Sequence, residues 1–250
     1  MDIMRALLSS GADIETKDYG GDTPLLLASA SRLSFPVRFL ISSGANTKAT
    51  GTQGNRTSEH VIGLLRDSDG ALAVAALLDA GIDPNAKDGQ GETLLGCAAW
   101  LGSTSAVISL LEAGSNPKAP GWYQRQPLHY AAELMHNPDA LFKAGADVRA
   151  KDKYRQTPLS SATLAGSPQA IQLLLKAGAD PNERDAKLHG PLHFTSHVID
   201  RPGGPDAIMA LIHAGADVNA ADDSGKTPLY MAAENGAAGV VLLLHKAGAR

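Results

Sequence analysis

A glycine closing an aliphatic run recurs along this chain at an interval too regular for a single globular core. It falls at Gly11, Gly44, Gly81, Gly114, Gly145, Gly178, Gly215 and Gly248, at successive spacings of 33, 37, 33, 31, 33, 37 and 33 residues. Self-similarity on this scale means one supersecondary unit copied in series, each copy burying its apolar face only against its neighbours. A second mark precedes every glycine but the first. It reads Thr23-Pro24-Leu25, Thr57-Ser58-Glu59-His60, Thr93-Leu94-Leu95, Gln126-Pro127-Leu128-His129, Thr157-Pro158-Leu159, Gly190-Pro191-Leu192-His193 and Thr227-Pro228-Leu229.

These second marks have the chemistry of helix starts. A threonine at the N-cap accepts from a free backbone N–H, and a proline at the first helical position gives up no hydrogen bond. A short helix lined with small residues follows, as in Tyr130-Ala131-Ala132 and Met231-Ala232-Ala233. After a turn comes a second helix, often opened by proline (Asn137-Pro138, Ser167-Pro168, Gly204-Pro205), with apolar residues such as Ile171, Leu174 and Leu175 at helical spacing. The closing glycine supplies the left-handed residue that commonly ends a helix. A polar stretch such as Ala179-Asp180-Pro181-Asn182 then leads to the next helix start.

Thr-Pro-Leu-His-x-Ala-Ala, a helix pair, and Gly-Ala-Asp-x-Asn-Ala, returning about every 33 residues, resemble the ankyrin repeat. The resemblance covers essentially the whole chain. It implies an all-α solenoid of helix-turn-helix units with protruding β-hairpin or loop fingers. On this reading 1–250 is one domain, a half repeat at 1–17 followed by full repeats at 18–51, 52–87, 88–120, 121–151, 152–184, 185–221 and 222–250. The third and seventh repeats carry extra residues between their helices, Arg66–Gly70 and Asp200–Pro205, which read as surface loops, while the fifth is shortened.

Composition narrows the function. A formal net charge of −4 without any basic run argues against a nucleic-acid backbone, which needs clustered Lys and Arg to displace counterions. No apolar stretch approaches the roughly 18 residues that cross a bilayer, and the N-terminus lacks a secretory signal's basic-then-apolar order, so a cytoplasmic chain is expected. Cys97, the one cysteine, excludes an internal disulfide framework. Neither terminal repeat looks capped. A monomer is expected, with end-to-end association open through the uncapped repeats.

The resemblance further implies binding of another protein through the finger tips and the exposed positions of the first helices, which together line a concave face. Aromatics make up only 4% of the chain, yet seven of the eleven map to those positions. Tyr19, Trp122, Tyr123 and Tyr154 fall in fingers, Tyr130 and Phe194 follow the His slot, and Trp100 follows Ala98-Ala99. Stacking is expected to gather Trp100, Trp122, Tyr123, Tyr130 and Tyr154, with Arg125, Lys153 and Arg155 as a polar rim. The competing reading is that these rings pack on neighbouring fingers and only stiffen the stack.

Catalytic and cofactor chemistry finds no support, and an enzyme is not expected. There is no Gly-rich phosphate loop, no His-Glu-x-x-His and no Gly-x-Ser-x-Gly. His189, His193 and His197 are spaced by four, as metal ligands on one helix would be. His189 precedes the helix, however, and His193 sits where the family's His is similar to a structural brace. Cys97 is read as a small apolar packing residue, and Asp222-Asp223-Ser224-Gly225-Lys226 lacks the alternating ligands of a calcium loop. Asn55-Arg56-Thr57 is a glycosylation sequon. The function expected is a protein-interaction scaffold. An inhibitor or immunity-type protein that occludes a toxin or enzyme is the first alternative, and an ankyrin targeting segment of a larger enzyme the second.

Overall fold

The computed structural model describes residues 2–51, 57–66, 69–134, 138–198 and 203–250. The sequon asparagine, Asn137 and the inserted residues 67–68 and 200–202 lie outside them. Among the described residues the regular elements are helical, and the chain falls into two compact units, Met1–Asn116 and Pro117–Arg250.

The first unit holds α1 (Asp2–Ser9), α2 (Pro24–Ala30), α3 (Ser34–Ser42), α4 (Thr57–Leu64), α5 (Gly70–Asp79), α6 (Leu94–Trp100) and α7 (Thr104–Glu112). The second holds α8 (Pro127–Glu133), α9 (Asp139–Lys143), α10 (Pro158–Ala165), α11 (Pro168–Lys176), α12 (Gly204–His213), α13 (Pro228–Glu234) and α14 (Ala238–Lys246). Within each unit, first helices stack on first helices and second on second: α2 on α4, α3 on α5 and α5 on α7, then α8 on α10, α11 on α12 and α12 on α14.

Both ends of the helices follow the local chemistry. Thr23, Thr93, Thr157 and Thr227 cap α2, α6, α10 and α13 with their side-chain oxygens. All eight closing glycines have φ between 82° and 94°. At Gly178 the amide bonds to Leu175 at 3.0 Å and that of Ala179 to Leu174 at 3.0 Å, the paired bonds of a Schellman end. No atom would meet a Cβ within 4 Å at these glycines, so backbone handedness alone selects them. Four residues before each glycine, Leu40, Leu77, Leu110, Leu141, Leu174, Leu211 and Leu244 are buried, each gaining about 1.5–3 kcal/mol over an exposed leucine. Leu7, at the same slot of α1, is exposed.

The seventh repeat departs from this pattern. Its first helix, Pro191–His197, is a 3-10 segment. The amide of His193 bonds back three residues to Gly190, and the Thr195 hydroxyl takes the Leu192 carbonyl at 2.7 Å. A hydroxyl competing for that carbonyl tightens the turn at the expense of the i−4 ladder.

The fingers take the loop form of the expectation, with β-structure among the described residues confined to isolated bridging such as Lys87 with Thr93. Each regular finger is closed by one aspartate. Oδ1 of Asp152 accepts the amides of Tyr154 at 2.8 Å and Gln156 at 2.9 Å, while the Asp152 amide donates to the Gln156 carbonyl at 3.0 Å. Asp88, Asp185 and Asp222 repeat the arrangement. A carboxylate that satisfies two backbone donors makes a rigid Asx-type turn, and these carboxylates are engaged in shaping the fingers.

Candidate functional site

The tips of the fingers in the second unit are tied together by main chain. The amide of Lys153 donates to the Tyr123 carbonyl at 2.7 Å, that of Ala186 to Tyr154 at 3.0 Å, and that of Asp223 to Lys187 at 3.1 Å. These bonds turn four loops into one ridge. In the first of them Gly121 stands where the other fingers have aspartate. A 3-10 turn, Trp122–Gln124, takes over there, with Tyr123 and Gln124 at φ 53° and 59°.

On this ridge three of the expected rings meet. The ring centroids of Trp122 and Tyr123 are 4.6 Å apart, and those of Tyr123 and Tyr154 are 6.0 Å apart. The three are 48, 40 and 51% exposed. Nζ of Lys153 stands 5.6 Å from the Tyr123 centroid, within reach of a cation–π attraction. Lys153 and Arg155 are exposed beside them. Apolar rings with adjacent mobile cations can bury area against a partner while selecting its charge.

Two expected site residues belong elsewhere. Tyr130 is only 2% exposed, on a helix packed against α10 and with the Arg125 guanidinium 4.6 Å over its ring. Arg125 itself is mostly buried. It pairs with Glu133 and reaches the Ser161 hydroxyl of the next repeat at 3.2 Å. A planar cation sandwiched in this way covers an aromatic ring and joins two layers, so the two residues are core and brace, corrected from contact and rim. Phe194 is half-buried, its ring edge-on to His189 at 5.6 Å. Tyr19 and Trp100 are exposed on the first unit, Tyr19 in its first finger and Trp100 at the end of α6.

The histidines have structural work. Nδ1 of His129 accepts the Gln126 amide at 3.1 Å, which leaves Nε2–H to donate to the Gln156 carbonyl at 3.1 Å. Burial holds its pKa below the ordinary histidine value. Nδ1 of His193 likewise accepts the Gly190 amide at 3.0 Å, and burial, followed by the charge of His189, lowers its pKa. His189 bridges two fingers. Its Nδ1 is 3.3 Å from Oδ2 of Asp185 and its Nε2 is 3.4 Å from Oδ2 of Asp222. The side chain of His197 lies outside the described residues. Burial, then the charges of Glu92 and Asp88, push the Cys97 thiol up to about 12.

Tyr230, Gln124 and Leu188 were missed from the sequence. Tyr230 is exposed, with Nζ of Lys226 5.2 Å from its centroid, and it occupies the last repeat's His slot. Gln124 and Leu188 occupy a finger position that is glycine at Gly21, Gly91 and Gly225. Aligning the fingers, and not only the helices, exposes that substitution.

Ankyrin-repeat descriptions match the chain at residues 67–152 (three copies), 154–186 and 200–245 (many copies). Among curated relatives, the chain is 29% identical to the E3 ubiquitin-protein ligase KEG of Arabidopsis thaliana over 99% of its own length and 16% of that protein's. It is 28% identical to the putative palmitoyltransferase ZDHHC13 of Danio rerio over 78% of its length and 30% of the relative's. It is 30% identical to Rabankyrin-5 of Homo sapiens over 71% and 16%. The chain thus spans less than a third of the length of each. No helix among the described residues is long and apolar enough to cross a membrane.

Proposed function

Because the chain belongs to the ankyrin-repeat family, whose repeats generally serve protein interaction, we propose that it is a non-catalytic scaffold that binds a protein partner through its finger tips and the adjoining first helices. The observation that carries this is the exposed ring stack Trp122–Tyr123–Tyr154 on a hydrogen-bonded ridge. Rings already held in place lose little conformational freedom on binding, so more of the buried area becomes affinity. The compartment that fits this role is the cytoplasm.

The test is affinity purification of the protein from its native source, followed by binding measurements with the partner recovered. Trp122→Ala with Tyr154→Ala is expected to weaken binding at least tenfold while the melting temperature stays within a few degrees, about 2 kcal/mol being typical for truncating a hot-spot ring. Trp100→Ala and Tyr19→Ala form a separate arm on the first unit. Unfolding of the ring variant, with the folded remainder still binding, would assign the rings to packing.

A second reading is favoured by the lengths of the relatives. The chain matches a small share of proteins named as a ligase and a palmitoyltransferase, so it is also proposed as the targeting segment of a larger enzyme. Immunoblotting of native extracts for a band well above 25.9 kDa separates the two.

A further inference from the structure

The ridge departs from its own repeat at one backbone position. Three residues beyond the aspartate that opens a finger, or beyond Gly121 in the finger of Trp122, the described chain turns through the left-handed region. Gly21, Gly91 and Gly225 occupy that position in their fingers, at φ 74°, 84° and 77°. In the three consecutive fingers of the ridge it is held by Gln124, Arg155 and Leu188, at φ 59°, 62° and 62°. A side chain in this conformation is strained wherever glycine would serve, and strain retained at neighbouring positions points to use of the side chains it displays. All three are exposed.

The side chains displayed have a definite character. Lys153, Arg155 and Lys187 are exposed and make no ion pair among the described residues, whereas Lys151 pairs with Glu183 and Lys226 with Glu234. Of the finger carboxylates nearest them, Asp152 and Asp185 are buried and engaged in backbone bonds, while Asp223, exposed next to Lys187, accepts the Ser224 hydroxyl at 3.1 Å. Between the cations stand Tyr123, Tyr154 and Leu188, all exposed and apolar-faced. On a chain of net charge −4 the ridge therefore displays three exposed cations interleaved with rings, above aspartates held in the finger turns.

We propose that this ridge, formed by Tyr123, Lys153, Tyr154, Arg155, Lys187 and Leu188, receives an acidic segment of a partner protein that carries aromatic or aliphatic side chains. Its carboxylates face the three cations and its apolar groups lie on the rings. The left-handed residues Arg155 and Leu188, with Gln124, are the specificity-determining positions. Main-chain bonds between successive tips hold the ridge in its binding form before the partner arrives. An acidic polypeptide fits better than a nucleic-acid strand, because three cations are too few to track a phosphate backbone on a chain that is acidic elsewhere. The inference rests on the interaction reading above and adds the chemistry of the partner.

Fluorescence anisotropy with labelled random copolymers tests it on the full chain. A glutamate–tyrosine copolymer is expected to bind, with affinity falling at least tenfold between 50 mM and 500 mM salt, and a lysine–tyrosine copolymer is expected not to bind. Arg155→Gly with Leu188→Gly should weaken the acidic copolymer at least tenfold and leave the melting temperature unchanged or higher. Lys153→Glu with Lys187→Glu should reverse the preference between the copolymers. Equal binding of both copolymers, tighter binding of a single-stranded oligonucleotide of matched length, or glycine variants of unchanged affinity would overturn the proposal. If the acidic copolymer fails but Trp122→Ala with Tyr154→Ala still abolishes binding of the native partner, the charge assignment falls and the interaction reading stands.

Discussion

Nε2 of His129 lies 3.1 Å from the carbonyl oxygen of Gln156, so a buried imidazole in one repeat closes the finger of the next. Its other nitrogen already accepts an amide, so a second proton on the ring would face an N–H donor. That geometry requires the neutral form, in agreement with the lowered pKa of His129 and of His193. Because the folded-state pKa values are depressed, the unfolded chain takes up protons first as pH falls. Stability contributed by the neutral rings is full above the ordinary histidine value of about 6.5 and is lost progressively below it. Melting temperatures recorded from pH 8 to pH 5 should fall on the acid side. His129→Gln with His193→Gln should lower the value at pH 8 and flatten the slope between pH 6.5 and 5. An unchanged slope in the double variant would assign the acid sensitivity to other groups.

Arg125 is expected to behave as a core residue. Arg125→Ala uncovers Tyr130, removes the ion pair with the half-exposed Glu133 and removes the bond to Ser161, at a cost of about 1–3 kcal/mol. Arg125→Lys should recover little of this, since an ammonium cannot lie flat on the ring and reach two acceptors. Thermal denaturation of both variants makes the comparison. An Arg125→Ala protein as stable as the parent would return the residue to the open rim.

Asn182 links two repeats in the same manner that Asn85 and Asn219 link others. Its Nδ2 donates to the Gly215 carbonyl at 3.0 Å and its Oδ1 accepts the Asp217 amide at 2.7 Å. Asn182→Ala removes both bonds and should cost about 1–2 kcal/mol. Hydrogen exchange is the sensitive readout, with protection of the Asp217 amide expected to drop well beyond the global change in stability. Asn182→Asp should fail at the Gly215 carbonyl, because a carboxylate has no donor for it.

Cys97 should be slow to alkylate in the native protein. With the thiol pushed up to about 12, the thiolate is far scarcer at pH 8 than on a free cysteine at the same pH. Iodoacetamide labelling followed by mass spectrometry should show native modification much slower than modification in denaturant. Equal rates in the two conditions would contradict the partial burial of Cys97 and the repulsion from Glu92 and Asp88.

The legible part of this protein was the helix scaffold. Thr157-Pro158 and Gly178 announce where α10 begins and where α11 ends, because caps and left-handed residues act through bonds only three to five residues long. The candidate site was legible only in part. Tyr154 and Tyr130 are the same residue type in adjacent repeats, yet one is exposed and the other buried. Tyr154 stands in a finger, whereas Tyr130 sits on a first helix packed against the next one, with Arg125 laid over its ring. Leu188 escaped notice because its significance depends on the glycine that sibling fingers carry in its place.

The amino-acid sequence alone determined the unit, its repetition and the handedness at each closing glycine. All three follow from preferences that each short segment satisfies by itself. Tertiary structure decided which rings face outward, which aspartates are consumed in shaping fingers, and which amides reach across about 30 residues to the next repeat, as Asn182 does. Those outcomes depend on the layer packed alongside. A residue's burial and hydrogen-bond partners are set by its neighbours in space, and no local propensity specifies them.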